Sequence, residues 1–148
     1  MDTFDLLAPL PAPGSTTVLQ ASAGTGKTFV LAGLVTRYLA ETDTRLDEML
    51  LITFNKAASR ELRERVRDQI RTALEALTAP DDRAAPDNNL VAHLLRGIDD
   101  ERAVRRSRLA DALSAFDAAT IATIHEFCGV VLKSLGVAGD SAADVRLE

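Results

Sequence analysis

The chain has 148 residues, of which 47% are hydrophobic and 26% charged, proportions typical of one globular domain with a substantial core. Its net charge of −5 argues against a protein that coats nucleic acid through its overall field. The apolar runs are too short to span a membrane, no basic-then-apolar leader is visible, and the single Cys128 cannot form an internal disulfide. We therefore expect a cytoplasmic protein without membrane insertion.

The first element is a strand followed by a glycine-containing loop. Residues 17–20 predict a short buried strand, and the sequence Ala-Ser-Ala-Gly-Thr-Gly-Lys-Thr follows it. Glycines in such a loop let backbone N–H groups approach phosphates, the lysine reaches the β- and γ-phosphates, and the threonine hydroxyl ligates Mg²⁺. The sequence thus predicts ATP and Mg²⁺ as cofactors, with Thr28 as the metal ligand. The predicted cofactor-binding residues are Ala21, Ser22, Ala23, Gly24, Thr25, Gly26, Lys27 and Thr28. Ala21 stands where the usual pattern has glycine.

Residues 27–40 predict a helix that is apolar on most of its circumference and packs against a sheet. After a polar connection, residues 48–54 form a continuous apolar run, which is typical of a strand covered on both faces. A long helix then begins near Asn55. Its apolar side chains recur at three- and four-residue spacing, at Leu62, Val66, Ile70, Leu74 and Leu77.

The second half of the chain predicts more helices and one further strand. Residues 78–89 indicate a loop, and residues 89–96 and 100–116 predict two helices. Residues 118–122 predict a short third strand. Thr123 is then expected to cap a final helix that ends at Gly136, with Glu126 completing a capping box.

Two basic runs contrast with the acidic overall charge. Residues 56–71 contain six basic and three acidic side chains, and residues 96–108 contain five basic and three acidic ones. Such runs usually form solvated helix faces with ion pairs between successive turns, for example Glu61 with Arg65. We therefore expect most of these arginines to be structural.

Polar and aromatic residues follow the second and third predicted strands. Threonine hydroxyls and helix-end N–H groups can bind phosphates, and phenylalanine rings can stack on bases. The alternative for each segment alone is structural. In that alternative Thr53 and Thr123 cap helices, Phe54 and Phe127 belong to the core, and His125 is a satisfied polar group.

Three segments, in order, resemble one known family. They read Ala-Ser-Ala-Gly-Thr-Gly-Lys-Thr, Ile-Thr-Phe-Asn-Lys-Ala-Ala-Ser and Ala-Thr-Ile-His-Glu-Phe-Cys. Together they are similar to the start of superfamily 1 DNA helicases of the UvrD/Rep type, and the RecB-like group shares both the alanine opening and the Thr-Ile-His ending. The resemblance covers residues 4–136. By position, it implies single-stranded DNA contacts at Thr53, Phe54, Asn55, Lys56, Thr123, His125 and Phe127.

The resemblance also implies a fold and a function. The expected fold is α/β, a P-loop NTPase (RecA-like) parallel sheet with flanking helices, forming part of an N-terminal motor domain with a small helical insertion. The segments would be a phosphate-loop part at 15–77, a helical insertion at 78–116 and a DNA-contacting part at 117–136. The implied role is that of an ATP-binding N-terminal fragment of an ATP-dependent DNA helicase in recombination and double-strand-break repair. The implied partners are single-stranded DNA, bound weakly, and the remaining helicase domains or RecC/RecD-like subunits.

Several helicase features are missing from this sequence. No apolar strand ending in Asp-Glu follows Gly136, and the second RecA-like domain, its arginine finger and the nuclease domain of RecB relatives are absent. Phe29 stands where many relatives have an arginine, and the upstream glutamine motif that reads adenine is not found. We therefore expect weak nucleotide binding and little hydrolysis by this chain alone, with no complete catalytic set.

Two other functions remain open from sequence. One is a small P-loop nucleotide-binding module that completes its site with a partner chain. The other is a complete small P-loop kinase, which would need an acceptor site and lid arginines after the loop. Instead, residues 53–67 match the second helicase segment.

Overall fold

A computed structural model describes residues 5–20, 26–79 and 88–136 of the chain. Two strands and five α-helices lie in this part, and 3-10 turns at Leu46–Glu48 and Phe116–Ala118 precede the strands. In chain order the elements are α1 (Lys27–Glu41), β1 (Leu50–Thr53), α2 (Lys56–Thr78), α3 (Asn89–Leu94), α4 (Asp99–Ser114), β2 (Thr120–Thr123) and α5 (Ile124–Leu135). Every helix expected from the sequence is present, with bounds shifted by two residues or fewer.

The strands β1 and β2 pair in parallel, which confirms an α/β fold with a two-stranded parallel sheet and flanking helices. Leu50 lies opposite Thr120, and Thr53 lies opposite Thr123 at the carboxyl end. Parallel neighbours require a long crossover, which α2, α3 and α4 provide here. The pairing therefore brings together two strand ends that are 70 positions apart in the sequence.

The prediction that the first of these strands is covered on both faces is wrong. Leu51 packs against the hydrophobic core, whereas Leu50 and Ile52 are exposed. The reason is that alternate residues of a strand point to opposite faces, and only the face of Leu51 packs against the core. A continuous apolar run thus predicts a strand correctly without showing what packs on it.

The strand predicted at residues 17–20 is also not formed. These residues adopt no regular structure, and Val18 is exposed. An isolated strand leaves its backbone groups unpaired, and no described strand lies beside this segment. Helix α1 likewise differs from the prediction, because it packs on α2 and α4 rather than on the sheet.

The core lies between α1, α2 and α4, with α3 closing one end. The apolar face predicted for α2 is confirmed, because Leu62, Val66 and Ile70 are buried while Leu74 and Leu77 pack at its edge. The other large core side chains come from all parts of the chain: Leu39, Leu90, Leu94, Leu109, Phe116 and Ile121. Burial of this apolar face, rather than helix propensity, is the main source of stability for a helix such as α2.

Helix α1 also holds the segment that precedes it. Arg37 donates hydrogen bonds to the carbonyl oxygens of Leu6 (2.7 Å) and Ala8 (2.6 Å). Its other nitrogens pair with Glu41 at 2.7 and 2.9 Å. One turn earlier, Gly33 lets Leu6 pack directly on the helix backbone, because a Cβ there would lie 2.7 Å from the leucine Cδ2. The buried guanidinium thus fixes the segment around Leu6 and Ala8 against α1.

Some arginines of the two basic runs pair within their own helix, as expected, whereas others join elements to one another. Arg63 donates to the carbonyl oxygens of Ala119 and Ile121, each at 3.3 Å, and so ties α2 to β2. Arg67 lies 4.6 Å from the ring centre of Phe116. On α4, Arg105 donates to Leu94 and Arg96 carbonyls. The pair between Glu61 and Arg65 is also present, at 3.6 Å.

None of the helices in the described ranges has both the length and the apolar character that a bilayer span requires.

Candidate nucleotide and nucleic-acid sites

The start of α1 has the features of a phosphate site. Gly26 precedes the helix with a φ of 80° and a ψ of 23°, a left-handed conformation that glycine adopts without strain. As the N-cap, Gly26 has no side chain with which to cap the first turn of α1. Lys27 is exposed and Thr28 half-buried beside it. The predicted binding residues Ala21, Ser22, Ala23, Gly24 and Thr25 lie outside the described residues.

The second candidate site is the carboxyl edge of the sheet. Thr53 and Thr123 are register partners, and α2 and α5 begin within three residues of them. Two helix N-termini therefore lie side by side, where the partial positive charges of the helix ends favour anions. The structure thus brings together the second and third sequence segments that were predicted to contact DNA.

The structural alternatives hold for some of these residues and not for others. Thr123 caps α5, because its hydroxyl accepts from the Glu126 N–H at 3.2 Å, and the side chain is only 5% exposed. Thr53 is not a cap, since the Asn55 side chain accepts from Ala58 N–H at 2.8 Å and starts α2.

The two phenylalanines and the histidine differ in exposure. Phe54 does not belong to the core, because its ring is 90% exposed. His125 is exposed on the first turn of α5, and Phe127 is half-buried. Asn55 and Lys56 are exposed as well, so the edge presents one ring, one amide, one cation and one imidazole to solvent.

Charge at this edge is mixed. Glu126 accepts from the Thr123 backbone N–H at 2.8 Å, which completes the predicted capping box. That hydrogen bond, then the Thr123 hydroxyl, and then the charge of Lys56 hold the pKa of Glu126 below its ordinary value. The carboxylate therefore remains ionised at neutral pH and anchors α5 beside Lys56.

The capping box predicts a pH dependence. A pKa that is lowered in the folded protein stabilises the fold above the unfolded pKa and loses that effect as pH falls through the folded value. The amide proton resonance of Thr123, followed by NMR, should titrate with a midpoint below about 4.3, the ordinary glutamate pKa. Glu126→Gln should abolish the titration while keeping a cap. A midpoint at or above the ordinary value would contradict the hydrogen-bond geometry.

Sequence reasoning missed three side chains near these sites. The hydroxyls of Thr53 and Ser59 are hydrogen-bonded, which orients Thr53 from inside α2. Arg63 holds β2, and Gln69 is buried with an amide nitrogen that has no partner in the part of the chain that the structure describes. The basic run pointed to α2 in general, but no local pattern distinguishes these residues, because each is placed by the packing of distant elements.

Comparison with known proteins identifies the family. A family model described as UvrD/REP helicase N-terminal domain matches residues 3–147, almost the whole chain. The chain belongs to this family. The UvrD/Rep resemblance found in the three sequence segments is thereby confirmed.

Three similar proteins share one name. The chain is 73% identical over 148 residues to "RecBCD enzyme subunit RecB" of Mycobacterium tuberculosis. This match covers 100% of the chain and 13% of that relative. The protein of the same name from Mycolicibacterium smegmatis is 65% identical over 147 residues, covering 99% and 13%. The one from Escherichia coli is 37% identical over 141 residues, covering 89% and 12%. The chain thus spans about one eighth of the length of these relatives.

Proposed function

We propose that this chain is the ATP-binding and single-strand-contacting N-terminal part of a DNA helicase of the UvrD/RecB type. The observation that carries the proposal is the register between Thr53 and Thr123, which makes one surface from two separated sequence segments. Family membership supports the same assignment. The helicase would unwind DNA in recombination and double-strand-break repair.

The start of α1 would hold the triphosphate. Backbone N–H groups of the first turn would bind its oxygens, Lys27 would neutralise the outer phosphates, and Thr28 would hold Mg²⁺. Bound ATP supplies the phosphoryl group whose cleavage drives the motor. The chain's own residues bind and orient it, and we expect little hydrolysis from them alone.

The carboxyl edge of the sheet would hold the single strand. Helix-end N–H groups and Lys56 would bind phosphates, and the exposed Phe54 ring would stack on a base. Thr123 serves this surface indirectly, because its buried hydroxyl fixes the direction of α5. Asn55 has the same role for α2, with His125 and Phe127 on the first turn of α5 completing the surface.

The partner proposal follows from the relatives. They are named as subunits of a RecBCD enzyme, so we propose that the chain works joined to further helicase domains and RecC/RecD-like subunits.

One observation also favours the second candidate, a nucleotide-binding module completed by a separate chain. Large apolar side chains of the sheet and of α5 are exposed, namely Leu50, Ile52, Val130, Leu132 and Leu135.

Binding of a labelled single-stranded oligonucleotide, followed by fluorescence anisotropy at low salt, tests the DNA surface. Phe54→Ala should weaken binding by about tenfold, because stacking contributes on the order of 1–3 kcal/mol per base. Lys56→Ala should weaken it and reduce the slope of log affinity against log salt by about 0.7, the value for one phosphate contact. Phe127→Ala should have a smaller effect, since that ring is half-buried.

Arg106→Ala on the exposed face of α4 is the matched control for the loss of one positive charge. It should change neither the affinity for the oligonucleotide nor its salt dependence. If affinity depends on Arg106 and not on Phe54 or Lys56, the sheet edge is not the DNA surface. Full affinity in the presence of physiological salt would also contradict the proposal, because few phosphate contacts are available.

A further inference from the structure

Four basic side chains lie on one face of α2, beginning at the carboxyl edge of the sheet. They follow one another at spacings of four, three and four residues: Lys56, Arg60, Arg63 and Arg67. With about 3.6 residues per helical turn, this spacing places them within an arc of about 60°. At about 1.5 Å per residue, they extend over about 16 Å of the helix. We call these four residues the α2 row. Its first member, Lys56, also belongs to the surface proposed to bind the single strand.

Two arginines of the row are held by neutral groups, which leave their positive charge in place. The Nη2 atom of Arg63 donates to the carbonyl oxygens of Ala119 and Ile121, each at 3.3 Å. The guanidinium of Arg67 lies 4.6 Å from the ring centre of Phe116. A guanidinium has several further N–H donors, so both side chains keep donors for another ligand. Because they are already ordered, binding a phosphate there costs less conformational entropy.

Carboxylates border the α2 row without cancelling its charge. Asp117 pairs with Arg67 at 3.2 Å, but the Asp117 side chain is 99% exposed, and such surface pairs contribute little. Glu126 already accepts from the α5 cap, and Glu64 lies outside the arc of the row. Arg60 is exposed and pairs with no carboxylate in the ranges that the structure describes. The row therefore keeps an excess of positive charge, although the whole chain has a net charge of −5.

We infer that the α2 row is a second phosphate track, which binds the backbone of the single strand where the strand leaves the sheet edge. The inference rests on the proposed DNA surface and extends it by three cations, Arg60, Arg63 and Arg67. A nucleic-acid backbone fits the row better than an acidic polypeptide does, because its phosphates repeat at regular intervals in a line and arginine binds them through paired N–H groups. Such contacts position the strand without reading its sequence.

The salt dependence of DNA binding by the 148-residue chain tests the inference. The probe is a labelled oligothymidylate of about 12 nucleotides, within the span of known single-strand sites, and fluorescence anisotropy gives its affinity at several salt concentrations. Arg60→Ala should reduce the slope of log affinity against log salt by about 0.7, the value for one phosphate contact. Arg60→Ala combined with Arg67→Ala should reduce it by about 1.4. Both side chains are exposed, so the circular dichroism spectrum should not change.

Arg65→Ala is the matched control, because Arg65 is an exposed arginine of the same helix, outside the arc of the row, and it should leave the slope unchanged. Phe54→Ala should lower the affinity but not the slope, since stacking releases no counterions.

An unchanged slope in the double variant, or an equal loss in Arg65→Ala, would overturn the track alone. Oligonucleotide affinity that depends on neither Phe54 nor Lys56 would overturn the proposed DNA surface and the track with it. Poly-L-glutamate serves as the second probe. If its binding depends on Arg60 and Arg67 while the oligonucleotide slope does not, the row is a surface for acidic polypeptides and the track is overturned.

Discussion

Arg37→Ala is expected to lower the free energy of unfolding by about 3–5 kcal/mol, the usual cost of removing one partner of a buried ion pair. The Arg37 side chain is 4% exposed, and the change leaves the carbonyl oxygens of Leu6 and Ala8 without their donor and the Glu41 carboxylate with His93 alone. The N-terminal segment should detach from α1. Urea unfolding followed by circular dichroism measures the loss.

Arg45→Ala is the matched control, because Arg45 pairs with Asp47 at the surface, where solvent screens the pair, and the change should have little effect on stability. Arg37→Lys should be intermediate, since lysine keeps the charge but cannot form the planar fork. Equal stability of Arg37→Ala and Arg45→Ala would show that the buried network does not hold the segment.

The pair of Arg37 and Glu41 also makes the stability of the fold depend on pH. Burial raises the pKa of Glu41, but the Arg37 hydrogen bond and charge, with a contribution from His93, lower it below the ordinary value overall. The stabilisation is therefore present above about pH 4.3 and is lost as pH falls through the lowered pKa. In Arg37→Ala only burial and His93 remain, so the Glu41 pKa should rise.

Lys27→Ala is expected to weaken MgATP binding by about tenfold to hundredfold, which for a weak site removes detectable binding. Hydrogen bonds to charged groups contribute on the order of 1.5–3 kcal/mol, and the lysine meets the most highly charged part of the ligand. Because Lys27 is exposed and outside the core, the circular dichroism spectrum should not change. Calorimetric titration with MgATP measures the effect.

Lys133→Ala, which removes an exposed lysine in the last turn of α5, is the control for the loss of one positive charge. It should leave MgATP affinity unchanged. If Lys27→Ala also binds MgATP like the wild type, the loop before α1 is not the nucleotide site.

Local patterns in the sequence predicted the elements that are stabilised by contacts between residues close together in the chain. The periodic apolar face of α2 and the capping box of Thr123 and Glu126 were both found as expected, because helix hydrogen bonds and caps involve residues three or four apart. The parallel relation of β1 and β2 was also confirmed. That the two segments with the candidate DNA contacts lie side by side is known from the register of the two strands in the structure.

Features that depend on distant partners could not be predicted in this way. Residues 17–20 have the composition of a strand, but a strand forms only where another pairs with it. The exposure of Leu50 and Ile52 depends on which helices cover the sheet. Arg37 and Gln69 are ordinary helix residues in sequence, and only packing shows that Arg37 holds the N-terminal segment and that Gln69 is buried.

Photo-crosslinking of a single-stranded oligonucleotide, with the attached peptides mapped by mass spectrometry, tests most directly whether the sheet edge contacts DNA. We predict crosslinks at residues 54–56 and 125–127, the two segments that the register of β1 and β2 places side by side. Competition with unlabelled single-stranded DNA should remove both sets together. Crosslinks confined to the arginine-rich helix α4, with none at the sheet edge, would contradict the account.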